Sequence, residues 1–217
     1  MNHRSRSLFL FSAATVVSTL TVSAQSLLVP EFRDAPATFY SEWDVFASTT
    51  GAAPDVAGSL GTISELTGAS FLTSSGNIYN AGVASSFTLD LTGAGPTGYV
   101  LLQIVTQGTE LDLGSVSLDT GAGTLDPAST IALGSTPLGG FGGSAVGTAF
   151  TWDLSGLEVD DFTIAFAASG AHLSLDRVVL DGAASAPLAV IPEPSSAALW
   201  LGMGGLLAGL VRRRRRG

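Results

Sequence analysis

Short runs in which apolar and polar residues alternate recur along the chain, each bounded by Gly, Pro or Asp. In Ser86 to Thr92, Phe87, Leu89 and Leu91 fall on one face and Thr88, Asp90 and Thr92 on the other. Phe150, Trp152 and Leu154 alternate with Thr151 and Asp153 in the same way, as do Phe162, Ile164 and Phe166 with Asp161, Thr163 and Ala165. A period of two sends successive side chains to opposite faces, so these segments predict half-buried strands. Val100 to Val105 is almost unbroken apolar, the pattern of a central strand covered on both faces, although periodicity alone leaves a buried helix segment open. Further strands are expected at Thr38 to Phe46, Leu60 to Ile63, Ile78 to Tyr79, Leu111 to Leu118, Thr130 to Leu133 and Leu173 to Leu180. Eight or nine short strands joined by turn-rich segments predict an all-β fold, an antiparallel β-sandwich of jelly-roll type, over residues 25–182. The Gly-rich stretch from Gly139 to Gly147 reads as a mobile surface loop, and residues 183–191 as a small-residue linker.

The two ends have different patterns. Residues 1–24 read as a secretory signal peptide, with Arg4 and Arg6 as the positive region and a mostly apolar stretch from Leu8 to Val22. Small residues at Val22-Ser23-Ala24 place cleavage between Ala24 and Gln25. This implies the Sec export machinery as a partner; an uncut N-terminal anchor is the alternative, and export follows on either reading. At the C-terminus, Pro192-Glu193-Pro194 precedes a 17-residue apolar stretch, Ser195 to Val211, and then Arg212, Arg213, Arg214, Arg215 and Arg216. As a helix it reaches about 25 Å, just enough for a thin bilayer core of about 27 Å. The adjacent Arg cluster stays on the cytoplasmic side and turns the domain outward.

Pro-Glu-Pro, a short Gly-containing apolar helix and a terminal Arg cluster, in that order over Pro192 to Gly217, resemble the PEP-CTERM sorting signal of Gram-negative bacterial proteins. That resemblance implies a precursor held in the inner membrane until an exosortase cleaves near the motif, followed by delivery to the cell surface or the extracellular polysaccharide matrix. The prolines keep this stretch extended and available to a protease, and Glu193 is the only charge between Asp181 and Arg212. An ordinary tail anchor is the plainer alternative. Leu173 to Gly182, LSLDRVVLDG, is similar to the closing strand found in many proteins with this signal. Here Arg177 stands where such strands often carry Asn, and a local interaction of Asp176 and Arg177 at a bulge or strand edge is the simpler reading.

Charge sharpens the division. The chain has a net charge of −9, and all nine basic residues are Arg. Between Gln25 and Val190 only Arg33 and Arg177 stand against seventeen carboxylates, a net charge of −15. Two cations cannot form the basic face that phosphates require, so nucleic acid is excluded as a partner. With no Cys or Lys, and His172 the only His after His3, thiol, Schiff-base and His/Cys zinc chemistry have no supply. No nucleophile-elbow motif is present. Carboxylates alone are abundant. Glu31, Glu42, Glu65, Glu110 and Glu158 leave glycosidase chemistry open without singling out a pair, so no catalytic residue is assigned. Asp160, Asp161, Asp176 and Asp181 are candidate ligands for a structural calcium, the one cofactor entertained, although solvated acidic turns explain them more simply. Among the aromatics, Trp43 and Trp152 are expected inside, and Tyr40 and Tyr79 are the candidates for sugar contact. The reading is therefore an exported structural or adhesive protein of the biofilm matrix, with a carbohydrate-binding module and a carboxylate glycosidase as alternatives.

Overall fold

The computed structural model describes residues 26–139 and 143–185. The signal peptide, the motif Pro192 to Pro194, the apolar stretch and the Arg cluster lie outside these residues. The fold is all-β: twelve strands in two sheets, with every pairing antiparallel. They are β1 (Thr38–Trp43), β2 (Thr62–Glu65), β3 (Phe71–Leu72), β4 (Ile78–Asn80), β5 (Ser86–Leu91), β6 (Tyr99–Gly108), β7 (Leu111–Asp119), β8 (Thr124–Leu125), β9 (Ser129–Pro137), β10 (Ser144–Asp153), β11 (Phe162–Ala168) and β12 (Leu173–Ala183). The larger sheet runs β3-β4-β12-β6-β10-β9, with β1 also paired to β12; the smaller runs β2-β5-β11-β7-β8. No helix occurs among the described residues.

Alternation explains which face each strand buries. Phe87, Leu89 and Leu91 of β5 meet Phe162, Ile164 and Phe166 of β11 on the inner face of the smaller sheet, where the Phe87 and Phe166 rings stack at 5.1 Å. Facing them are Val100, Leu102 and Ile104 of β6, Phe150 and Trp152 of β10, and Leu173, Leu175, Val178 and Leu180 of β12. Trp43 and Trp152 are interior, as their alternation requires. Their indole N–H groups donate to the carbonyls of Ala52 (2.9 Å) and Leu125 (3.2 Å), so neither buries an unpaired donor. Each fully buried large side chain contributes about 1.5–3 kcal/mol.

The unbroken apolar run in β6 has the cause its pattern implies. Its inner residues face the core, while Tyr99 and Leu101 face an N-terminal strap, residues 26–37, whose Leu27, Leu28 and Phe32 pack on the outer face. Gln103, fully buried there, accepts from the Leu28 N–H (2.6 Å) and donates to its carbonyl (2.9 Å), as one more strand residue would. Arg33 closes the strap with a two-pronged bond to Asp181, both contacts at 2.7 Å.

β12 is hydrogen-bonded along both edges. β6 takes one edge; β4 and β1 share the other, at Leu173–Leu175 and Val178–Ala183. Where the neighbour changes, Asp176 is an extra residue, a bulge facing the β6 pair Val105 and Thr106. Gly182 lies opposite Phe39 of β1, and a Cβ built there would sit 2.1 Å from the Phe39 ring, so only glycine lets that ring cover the strand. Two boundaries differ from expectation. β10 begins at Ser144, because Ser144 to Gly147 pair with both β6 and β9, so this part of the Gly-rich stretch is strand and not loop. β12 continues to Ala183, beyond the expected linker boundary, because β1 and β6 both supply partners there.

Candidate functional site

The outer face of the larger sheet is divided in two. The strap covers the half near Tyr99; the half near Gln107 is open and forms a cleft of about 720 Å³. Tyr79 of β4, Gln107 and Gly108 of β6, His172 and Ser174 line it, with Thr73, Ser75 and Asn77 from the β3–β4 connection. The register explains the convergence: Tyr79 pairs with Ser174, and Ser174 pairs with Gln107, so three strands present one face side by side.

The cleft carries an aromatic wall. Tyr79 Oη and His172 Nδ1 are 3.0 Å apart, and the two rings lie 6.4 Å centre to centre with 37° between their planes. Phe71, half exposed on the short edge strand β3, meets Tyr79 edge to face at 5.5 Å. His172 occupies the left-handed region at φ 67°, unusual for a side chain of that size. It is held there by its N–H to the Asn80 carbonyl (2.8 Å) and its carbonyl from the Thr109 N–H (3.2 Å). Gly108, at φ 81°, makes room: a Cβ there would come within 2.5 Å of the His172 carbonyl oxygen.

Beside the rings, on the same sheet face, lie polar groups. Asn77 Nδ2 and Gln107 Nε2 donate to Asp176 Oδ1 at 2.8 and 2.6 Å, and Asn77 Nδ2 also reaches Ser174 Oγ at 3.2 Å. A flat ring beside amides and hydroxyls can stack on an apolar sugar face while bonding its hydroxyl groups.

The sequence candidates separate on this face. Tyr79 is in the cleft, and His172, assigned no role from the sequence, is bonded to it. Tyr40 is elsewhere. Its ring lies under the Arg33 guanidinium at 4.2 Å and its hydroxyl donates to Glu42. Burial first, then the bond to Glu42 and its charge, push the Tyr40 phenol up to about 12. Asp181 is fully buried and bound by Arg33; burial raises its pKa more than the guanidinium lowers it. Asp176 anchors the two cleft amides. Arg177 turns from Asp176 to Asp44, at 2.7 Å, and Glu42, at 3.6 Å, so the expected bulge is present with a different ion pair. Asp160 and Asp161 are exposed, and Asp161 accepts from the Gly93 N–H at 2.7 Å. Among the described residues no three His, Asp or Glu side chains gather as a metal site.

The five glutamates do not converge. Glu65 is buried and accepts from the Thr67 and Gly68 N–H groups of its own turn at 2.9 and 3.0 Å. Glu42 pairs with Arg177, while Glu31, Glu110 and Glu158 are exposed on separate segments. None lines the cleft. Asn77, Gln107 and Ser174 were not singled out in the sequence; only their pairing across β4, β12 and β6 marks them. The chain matches no known protein family, no curated protein and no solved structure.

Proposed function

We propose that this is an exported, non-enzymatic protein of the cell surface or extracellular matrix whose β-sandwich, of jelly-roll type, holds polysaccharide in the cleft on its outer face. The observation that carries the binding role is the Tyr79–His172 ring pair lining one cleft with Asn77, Gln107 and Ser174. It favours the carbohydrate-binding reading over a purely structural one, because stacking and hydroxyl recognition are available in one place. The glycosidase reading has less support: it requires two carboxyl groups about 5 to 9.5 Å apart across the sugar, and the cleft wall offers no such pair.

The route rests on sequence. The signal peptide of residues 1–24 directs export, the apolar helix of residues 195–211 with its Arg cluster holds the precursor in the inner membrane, and an exosortase releases it at Pro192-Glu193-Pro194. The acidic domain suits uncharged polymer, or anionic polymer only through a bridging cation such as calcium. A glycan-binding screen of the exported protein, with and without calcium, tests the role. Tyr79→Ala is expected to weaken the binding at least about tenfold, the scale of a central aromatic contact, without changing the fold; a variant that binds like the parent refutes the site. Intact-mass analysis in cells with and without the processing enzyme tests the route, and a C-terminus still carrying all five Arg refutes it.

A further inference from the structure

We infer that Asp176 gives the cleft a charge preference, admitting uncharged glycans and rejecting those that carry uronic-acid or sulfate groups. This rests on the carbohydrate-binding reading above and adds the class of polymer and the residue that selects it.

The polar groups beside the rings are unevenly used. The Asn77 and Gln107 amide donors are both directed to Asp176 Oδ1, on a half-buried carboxylate. Among the described residues, Gln107 Oε1 accepts no side-chain or backbone hydrogen bond, so the cleft lining offers an acceptor to a ligand rich in O–H donors, with the Asp176 carboxylate bonded to the amide beside it. Among the described residues Asp176 forms no ion pair; its chain neighbour Arg177 senses its charge but is bonded to Asp44. The described residues contain two Arg and no Lys, and both Arg are engaged elsewhere: Arg33 on Asp181, Arg177 on Asp44 and Glu42. Among the described residues, nothing basic but the His172 ring lines the cleft. A neutral sugar meets a hydroxyl acceptor and a ring. A uronate meets the same ring with the Asp176 carboxylate close by, and no guanidinium among the described lining residues to receive it. At the effective dielectric of about 20 found near a protein surface, two like charges about 10 Å apart cost a little over a tenfold loss in affinity.

The experiment compares binding of the mature exported protein to a neutral glucan, to a poly-uronate, and to the same poly-uronate after its carboxyl groups are reduced to alcohols, in calcium-free buffer of low ionic strength. The parent is expected to bind the uronate at least about tenfold more weakly than its reduced form. Asp176→Asn, close in shape, should narrow that gap about fivefold or more. Glu158→Gln changes the net charge equally but lies beyond the opposite end of β6, where the Val159 carbonyl accepts from the Thr97 N–H, and should leave the gap as it is. Equal affinity of the parent for the uronate and its reduced form overturns the inference and leaves carbohydrate binding standing. So does a gap that Glu158→Gln narrows as much as Asp176→Asn, which would assign the discrimination to overall charge. If Asp176→Asn does not fold, the reduced polymer still tests the preference on the unaltered protein. Failure of the parent to bind any of the three overturns the carbohydrate-binding reading itself.

Discussion

Replacing Arg33 by Met tests how the N-terminal strap is held. Asp181 has no exposed surface, and its two carboxylate oxygens each receive an Arg33 nitrogen at 2.7 Å. Met fills part of the Arg33 volume and leaves the carboxylate buried without its partner, a change that costs about 3–5 kcal/mol. That is a large share of the roughly 5–15 kcal/mol that holds a domain together. With a urea slope of about 2 kcal/mol/M, the midpoint should fall by about 1.5–2.5 M. The loss should also depend on pH. Burial already holds the Asp181 pKa above its unfolded value, so the folded state binds the proton more readily and stability declines as pH rises from near 4 through the folded value. Without Arg33 the folded pKa rises further, the window widens, and neutral pH falls on its costly side. The difference between Arg33→Met and the parent should therefore be greatest at pH 7 and shrink toward pH 4, where the buried group takes up a proton. Urea titrations of both proteins at the two pH values measure it. A loss under about 1 kcal/mol, or one equal at both pH values, refutes the argument that a buried charge is being stranded.

Two glycine substitutions check the packing. Gly182→Ala sets a methyl group against the Phe39 ring and should cost about 1–3 kcal/mol in thermal or urea unfolding, with Phe39→Ala in the same chain recovering part of the loss. Gly108→Ala combines a left-handed backbone with a clash on the His172 carbonyl; it should destabilise by about 1–3 kcal/mol and weaken glycan binding beyond the change in folded fraction, measured on the same samples.

The strands that alternate strictly were legible because one face of each is buried. Phe87-Leu89-Leu91 and Phe162-Ile164-Phe166 declare themselves without knowledge of their partners. β3 and β8, two residues each, carry no period to detect and exist only because β4 and β7 lie alongside. Gly147 reads as a loop residue by composition, yet β6 and β9 hold it in a strand from either side. The site divides along the same line. Tyr79 was legible as an aromatic outside the strongest apolar patterns, and Asp176 as a charge interrupting an apolar strand. Asn77 and Gln107 were not, because their role comes from a carboxylate 99 and 69 positions away in the chain. Tyr40 fits the same sequence criterion as Tyr79, but the Arg33 guanidinium lies over its ring at 4.2 Å, held there by Asp181. Sequence reports the burial of a face more readily than what crosses it.

The placement of β12 also sets an order of assembly. β1, β4 and β6 each leave the ribosome before the strand that joins them, and none pairs with another of the three. The larger sheet cannot close until residue 183 is available, whatever has already collapsed around the smaller one. Pairings of such long sequence separation form slowly, since loop closure precedes any gain from contact. For a chain exported as proposed, that delay keeps it threadable until its whole folded part has crossed the membrane, and a chain ending before Leu173 would carry three open strand edges, an invitation to aggregate.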